Sequence, residues 1–397
     1  MQALKEVIQE LSAEYFETIR TIRRHLHQHP ELSLQETSTA AFIASTLKEL
    51  GIEHSVGIAR TGVVGLISGL RPGKKVVALR ADMDALPIEE ENDVPYRSVT
   101  PGVMHACGHD VHMASLLGAA KILQKTRSQW GGTIKLIFQP SEETLPGGAG
   151  MMIREGVLSN PSPEAVFGQH VAPQIPVGKV GIRSGMYMAS ADELYLTVKG
   201  KGGHAAMPHL NTDPILMAAH IITALQQVVS RNNTPWIPSV LSFGRITGNG
   251  RTNVIPSEVK IEGTFRTFHE QWRAHAHEKI TQIASGVAKS MGGLCEVRIL
   301  KGYPFLVNDE ALASLFRKLA ASYVGEENIT ELELAMTAED FAFFSQKAPS
   351  CFYRLGTRNE DKGITAGVHT PIFDIDESAL IPGMGLMAWL AIGKLNH

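Results

Sequence analysis

The sequence predicts a two-domain α/β protein, because a chain of 397 residues is longer than a single core usually holds. Two further observations predict it. Short apolar runs alternate with helical patterns over the first half, and a different strand pattern fills a central stretch. Residues 1–29 read as a helix stopped by Pro30, and residues 36–50 as a second ended by Gly51. Residues 63–68 and 76–80 are short apolar runs between glycine turns, the form of buried strands. After His109, Ala114, Leu117, Ala120 and Leu123 recur at helical spacing. Residues 133–138 and 165–170 are strand-like, with a glycine-rich loop at 147–150 between them. Strands alternating with helices imply a sheet covered on both faces.

Near residue 185 the pattern changes. Leu194, Leu196 and Val198 alternate with polar residues, as in a half-exposed strand. Residues 212–230 are helical, 239–246 and 258–268 are strands, 271–291 are helical, and 294–300 form a final strand. That order, β-α-β-β-α-β, is the ferredoxin-like unit. It predicts an inserted domain at 185–296, with 1–184 and 297–397 forming the first domain. Helices are expected around 310–323 and 338–344.

Composition narrows the function. Hydrophobic residues make up 44% and charged residues 19%, and a net charge of -3 gives no basic footprint for nucleic acid. No apolar run is expected to reach transmembrane length, and the amphipathic N-terminus has no signal-peptide core. Three distant cysteines, Cys107, Cys295 and Cys351, fit a reducing cytoplasm better than a disulfide framework.

The segment Met104-His105-Ala106-Cys107-Gly108-His109-Asp110-Val111-His112-Met113 holds one cysteine and three histidines directly before a helix. Thiolate and imidazole are metal ligands, and such density is uncommon by chance. Five other places carry polar residues at strand ends or in loops, where open α/β sheets gather their ligands. Asp82 and Asp84 follow one strand. Asp82 alone reads most simply as a loop cap, whereas Asp84 suits the orienting of a ligand or base. Glu142 and Glu143 follow another strand. In extended chain they would point opposite ways, so that one binds metal and the other serves as general base. His170 ends a third strand. His204 lies in a glycine-rich turn and suits an oxyanion, or is incidental there. His369, late in the chain, says little by itself. His105 and His112 are left over. His112 reads as a helix residue packed beside the site, and an exchange of roles with His109 stays open.

Together with Thr252-Asn253-Val254-Ile255-Pro256 and Arg24-His25-Leu26-His27-Gln28-His29-Pro30-Glu31, these motifs run in order over nearly the whole chain. They resemble the metallopeptidase superfamily of aminoacylases, dipeptidases and glutamate carboxypeptidases, peptidase family M20. Within it, the Cys107-x-His109 pattern looks like the amidohydrolase branch: bacterial aminoacylases, hippurate hydrolases, N-acetyl-diaminopimelate deacetylases and plant auxin-conjugate hydrolases. The resemblance implies a zinc-exopeptidase-like catalytic domain and an inserted dimerisation or lid domain. It implies two divalent ions, zinc or manganese first and cobalt or nickel also tolerated. Cys107 would bridge them, with His109, Glu143, His170 and His369 completing the set. Glu142 would be the general base and Asp84 its orienting carboxylate. Asn253 and Arg266 would hold a substrate carboxylate, the planar guanidinium of Arg266 suiting that task unless it serves a surface ion pair. His204 would reach across a homodimer. The implied reaction is hydrolysis of the amide bond of an N-acyl amino acid. Rival readings are a dipeptidase or carboxypeptidase on the same scaffold, a cysteine hydrolase with Cys107 as nucleophile, and a non-catalytic ligand-binding protein.

Overall fold

The computed structural model describes residues 1–397, which divide into two compact units. The first joins Met1–Tyr187, Val307–Leu334 and Asp340–His397; the second joins Met188–Leu306 and Ala335–Glu339.

The first unit is built on an eight-stranded sheet. In spatial order its strands are Glu53–Ile58, Gly62–Ser68, Gly131–Gln139, Arg71–Asp82, Ala165–Pro176, Ser350–Arg358, Val180–Ile182 and Ile329–Glu331. The four central strands are parallel to one another, and both flanks bring in antiparallel pairs. The central strands are almost wholly buried where they pair with one another, as parallel strands under helices must be. Helices His109–Lys125 and Leu380–Asn396 pack against each other and against the Arg71–Asp82 strand. The α/β expectation is therefore met. The register places Asp82 opposite Gln139, and Arg80 opposite Gly168. Asp82 and Gln139 thus end neighbouring strands, and His170 lies level with them, although the strand expected to end there runs on to Pro176.

Some local expectations change. The helix expected over 1–29 is two, Gln2–Glu14 and Phe16–Gln28, although Tyr15 keeps hydrogen bonds to Leu11 and from Ile19 across the break. The glycine-rich stretch at 147–150 opens a helix, Gly148–Arg154. The helix expected over 338–344 shrinks to Ala342–Ser345. One segment, Glu377–Asn396, does have the length and apolarity of a membrane span, but most of it is buried in the core of this unit.

The second unit has a four-stranded antiparallel sheet in the order Ser239–Thr247, Glu258–Thr267, Asp192–Lys199 and Leu294–Lys301. Helices Pro214–Gln227 and Glu270–Ser290 pack on it and on each other, completing the ferredoxin-like order. Asp213 caps the first helix by accepting from the amides of Ile215 and Leu216. The boundary expected at residue 296 would cut the Leu294–Lys301 strand, which pairs along its whole length with Asp192–Lys199. Arg273, fully buried, ties the ends of this unit together. Its guanidinium pairs with Asp192 and donates to the carbonyls of Ala191 and Gly302 at 3.1 Å each. Ala191 N–H donates to Tyr303 O at 3.0 Å beside it.

Candidate metal centre

The carboxyl ends of the central strands carry most of the polar residues singled out in the sequence. Gly108 turns the chain into helix His109–Lys125 with φ +79°, and His109 is its first residue. A β-carbon at Gly108 would meet Val171 Cγ2 at 2.5 Å, so the position needs glycine for both conformation and space. Gly108→Ala is expected to lower the melting temperature and weaken metal uptake together, measured by thermal unfolding with and without added zinc. A variant with unchanged values would remove this argument.

The imidazoles are set by their hydrogen bonds. His109 Nδ1 donates to Asp84 O at 2.7 Å, and His170 Nδ1 donates to Val171 O at 2.7 Å. Because a carbonyl only accepts, each ring leaves Nε2 for a ligand. The atoms of Cys107, His109 and His170 able to hold a cation lie within 4.8 Å of one another, and so do those of Cys107, Glu143 and His369. Cys107 is common to both groups, and its Sγ is 3.5 Å from His170 Nε2. His369 is brought in from the late loop by its N–H, which donates to Ala106 O at 2.7 Å. His112 is differently placed. Its Nδ1 lies 2.5 Å from Asp82 Oδ1, and its Nε2 accepts from Val171 N–H at 2.9 Å. Both nitrogens are engaged within the protein, although His112 also forms, with Asp82 and His109, a third group whose ligand atoms lie within 4.8 Å of one another.

Asp84 organises the two glutamates. Its Oδ1 accepts from Glu142 N–H at 2.9 Å, and its Oδ2 from Glu143 N–H at 3.0 Å and Ser33 Oγ at 2.6 Å. The extended chain expected at the two glutamates is not formed. The strand ends at Gln139, Ser141 adopts φ +51°, and the chain bends. Glu142 Oε1 then accepts from Asp340 N–H at 3.3 Å, while Glu143 Oε1 lies 3.2 Å from His369 Nε2. Asp82 also departs from expectation. It is a buried strand end rather than a loop cap, paired with Arg80 at 2.7 Å and with His112. Arg80 in turn pairs with Asp340 at 2.8 Å and donates to Gln139. Arg80, Asp340 and Glu36, all buried, were not legible as site residues, because nothing in their neighbours' spacing sets them apart.

This donor set fits a cation on grounds internal to the fold. His109 Nε2 is buried, lacks a hydrogen-bond partner and lies 3.9 Å from Glu143 Oε1, a costly state for a polar nitrogen unless a ligand sits there. Burial raises the Cys107 thiol, and Glu143 adds to this, so ionisation requires added positive charge. Burial opposes a charge on His109, yet Asp82, Asp84 and Cys107 outweigh it and raise its pKa. Hydrogen bonds to Cys107 and Glu143 raise His369 to about 10. A metal is held by a thiolate and by imidazole nitrogens free of protons, so any proton on Cys107 or on a ligand nitrogen must leave when it binds. Zinc affinity should rise with pH, and binding should release protons. Calorimetry in two buffers of different ionisation enthalpy checks this, and equal heats in both would contradict it.

His204, Asn253 and Arg266 belong to the second unit. His204 is exposed, and its Nδ1 accepts from Ala206 N–H at 3.1 Å. Asn253 O accepts from Ala205 N–H at 3.0 Å, and Val254 pairs with His204 in a two-stranded antiparallel ladder. Arg266 stands half-buried on the Glu258–Thr267 strand, donating to Thr264 Oγ1, and burial lowers its pKa.

The model of Peptidase family M20/M25/M40 matches residues 78–392. The chain belongs to this family. Like other M20 proteins it is a metal-dependent hydrolase that acts on amide bonds. It is 41% identical to thermostable carboxypeptidase 2 of Saccharolobus solfataricus, over 100% of this chain and 99% of that one. It is 42% identical to N-acetyl-L-cysteine deacetylase of Bacillus subtilis, over 91% and 84% of the two chains. The crystal structure of a dinuclear metal-binding M20 peptidase from Bacillus subtilis superposes with a TM-score of 0.83 at 35% identity, covering 97% of this chain and 99% of that one. The family expected from the motifs is the family found.

Proposed function

We propose that this M20 hydrolase cleaves the amide bond of N-acyl amino acids, releasing a carboxylate and a free amino acid. One observation carries the reading: a buried Cys107 shared by two ligand groups, with Glu142 held beside them by Asp84. Cys107, His109, Glu143, His170 and His369 would hold two divalent ions. When bound, such ions activate water and polarise the scissile carbonyl. Glu142 accepts the proton of the attacking water and passes it to the leaving amine. Asp84, saturated by amide and hydroxyl donors, keeps Glu142 and Glu143 in place and takes no proton. Asn253 and Arg266 would bind the substrate carboxylate. His204 would stabilise the oxyanion from the partner of a homodimer formed by the second unit. Exposed Leu210, Ile215 and Leu216 on that unit, and its unpaired edge strand Ser239–Thr247, support such a contact.

A carboxypeptidase reading also has support, in the close likeness to a thermostable carboxypeptidase. Assaying N-acetyl, N-benzoyl and indole-acetyl amino acids beside unblocked dipeptides, with zinc, manganese, cobalt and nickel in turn, separates the two. Faster cleavage of unblocked peptides would displace the N-acyl reading. Light scattering of the same sample tests the dimer, and a monomer at assay concentration would remove the role given to His204.

A further inference from the structure

Three successive amides, those of Ser141, Glu142 and Glu143, donate to just two buried carboxylates. Asp84 takes the second and third. The first goes to Glu36, a residue 105 positions away that directly precedes helix Thr37–Glu49. Glu36 is wholly buried. Its Oε1 accepts from Ser141 N–H and Leu34 N–H at 2.9 Å each, and its Oε2 from Thr61 Oγ1 at 2.6 Å. Ser141 and Leu34 both have positive φ, +51° and +62°, a region L-residues with a side chain seldom occupy. One carboxylate therefore fastens two left-handed residues. The segment carrying it is itself stitched to the site, since Ser33 donates to Asp84 and Ala85 N–H donates to Glu31 O.

We propose that Glu36 is a positioning residue for the hydrolytic reaction: by holding Ser141 in the left-handed region it sets the directions in which Glu142 and Glu143 leave the chain. Without it, Ser141 relaxes toward negative φ. The following peptide planes then rotate away from Asp84, displacing both the proton acceptor and a ligand. Glu36 touches neither the reacting atoms nor the ligand groups and acts only through this backbone.

The inference rests on the roles given above to Glu142 and Glu143, and its test uses readouts that stand apart from them. Glu36→Ala in the full chain should weaken zinc binding ~10- to 100-fold, the range for groups that orient ligands. It should also alter the visible spectrum of the cobalt-loaded protein. With N-acetyl-L-cysteine as probe, kcat should fall with KM within about twofold. Adding Ser141→Gly, which relieves the left-handed strain, should restore much of the zinc affinity and spectrum. A Glu36→Ala protein with the parent's affinity and spectrum, or a double variant no better than the single, overturns the proposal. If Glu36→Ala does not fold, Ser141→Val against Ser141→Gly carries the test. Valine should reproduce the loss and glycine should match the parent, and equal behaviour of the two overturns it. Full turnover in Glu142→Gln would instead reject the general base while leaving the zinc and cobalt results on Glu36 to stand or fall alone.

Discussion

Glu142→Ala should lose turnover by about a thousandfold, within the ~10²- to 10⁴-fold that a general base contributes, while metal content stays near normal. The two effects separate if Glu143 is the ligand, as proposed: Glu143 Oε1 lies beside His369, whereas Glu142 Oε1 is turned to the amide of Asp340. Asp84 holds both backbone amides whatever side chain follows, so the loop should keep its course in the variant. Kinetics and elemental analysis on one preparation decide it. Full activity would sink the assignment of Glu142, and loss of metal would make it a ligand instead.

Cys107→Ala should strip metal from the protein, by more than the ~10- to 100-fold affinity loss that follows removal of an outer-sphere group. The thiol belongs to two of the groups able to hold a cation, so under the proposed function its loss weakens both at once. Cys107→Asp offers a second bridging anion and should recover part of the metal content. The same experiment separates a cysteine nucleophile from a metal site. A chelator should abolish activity in the parent protein, and readdition of zinc or manganese should return it. Activity that survives the chelator would favour the thiol as nucleophile.

How far the sequence was legible depended on the environment of each segment. The alternating strands of the second unit bury one face, so their period shows. The Leu380–Asn396 helix is apolar on every side and contains Pro382, Gly383 and Gly385. It has no stripe to read, although it lies at the centre of the first core. The exposed edge strand Glu53–Ile58 was missed for the opposite reason, having almost no buried face. Cys107, His109 and Glu143 stood out by residue type. Glu36, Arg80 and Asp340 act through partners far along the chain, and no local pattern records such a pairing.

The Arg273 clamp has a consequence for how this architecture came to hold a second domain. Because Ala191 and Tyr303 are hydrogen-bonded neighbours, the long excursion between them begins and ends at one point. Loop-closure entropy depends on the distance between ends and only weakly on what lies between. Because its ends already meet, the excursion adds little closure cost to the chain that carries it. A short glycine-containing linker across Ala191 and Tyr303 should be accepted in its place, and the excised segment, closed on itself by Arg273 and Asp192, carries its own core and is a natural piece to express alone.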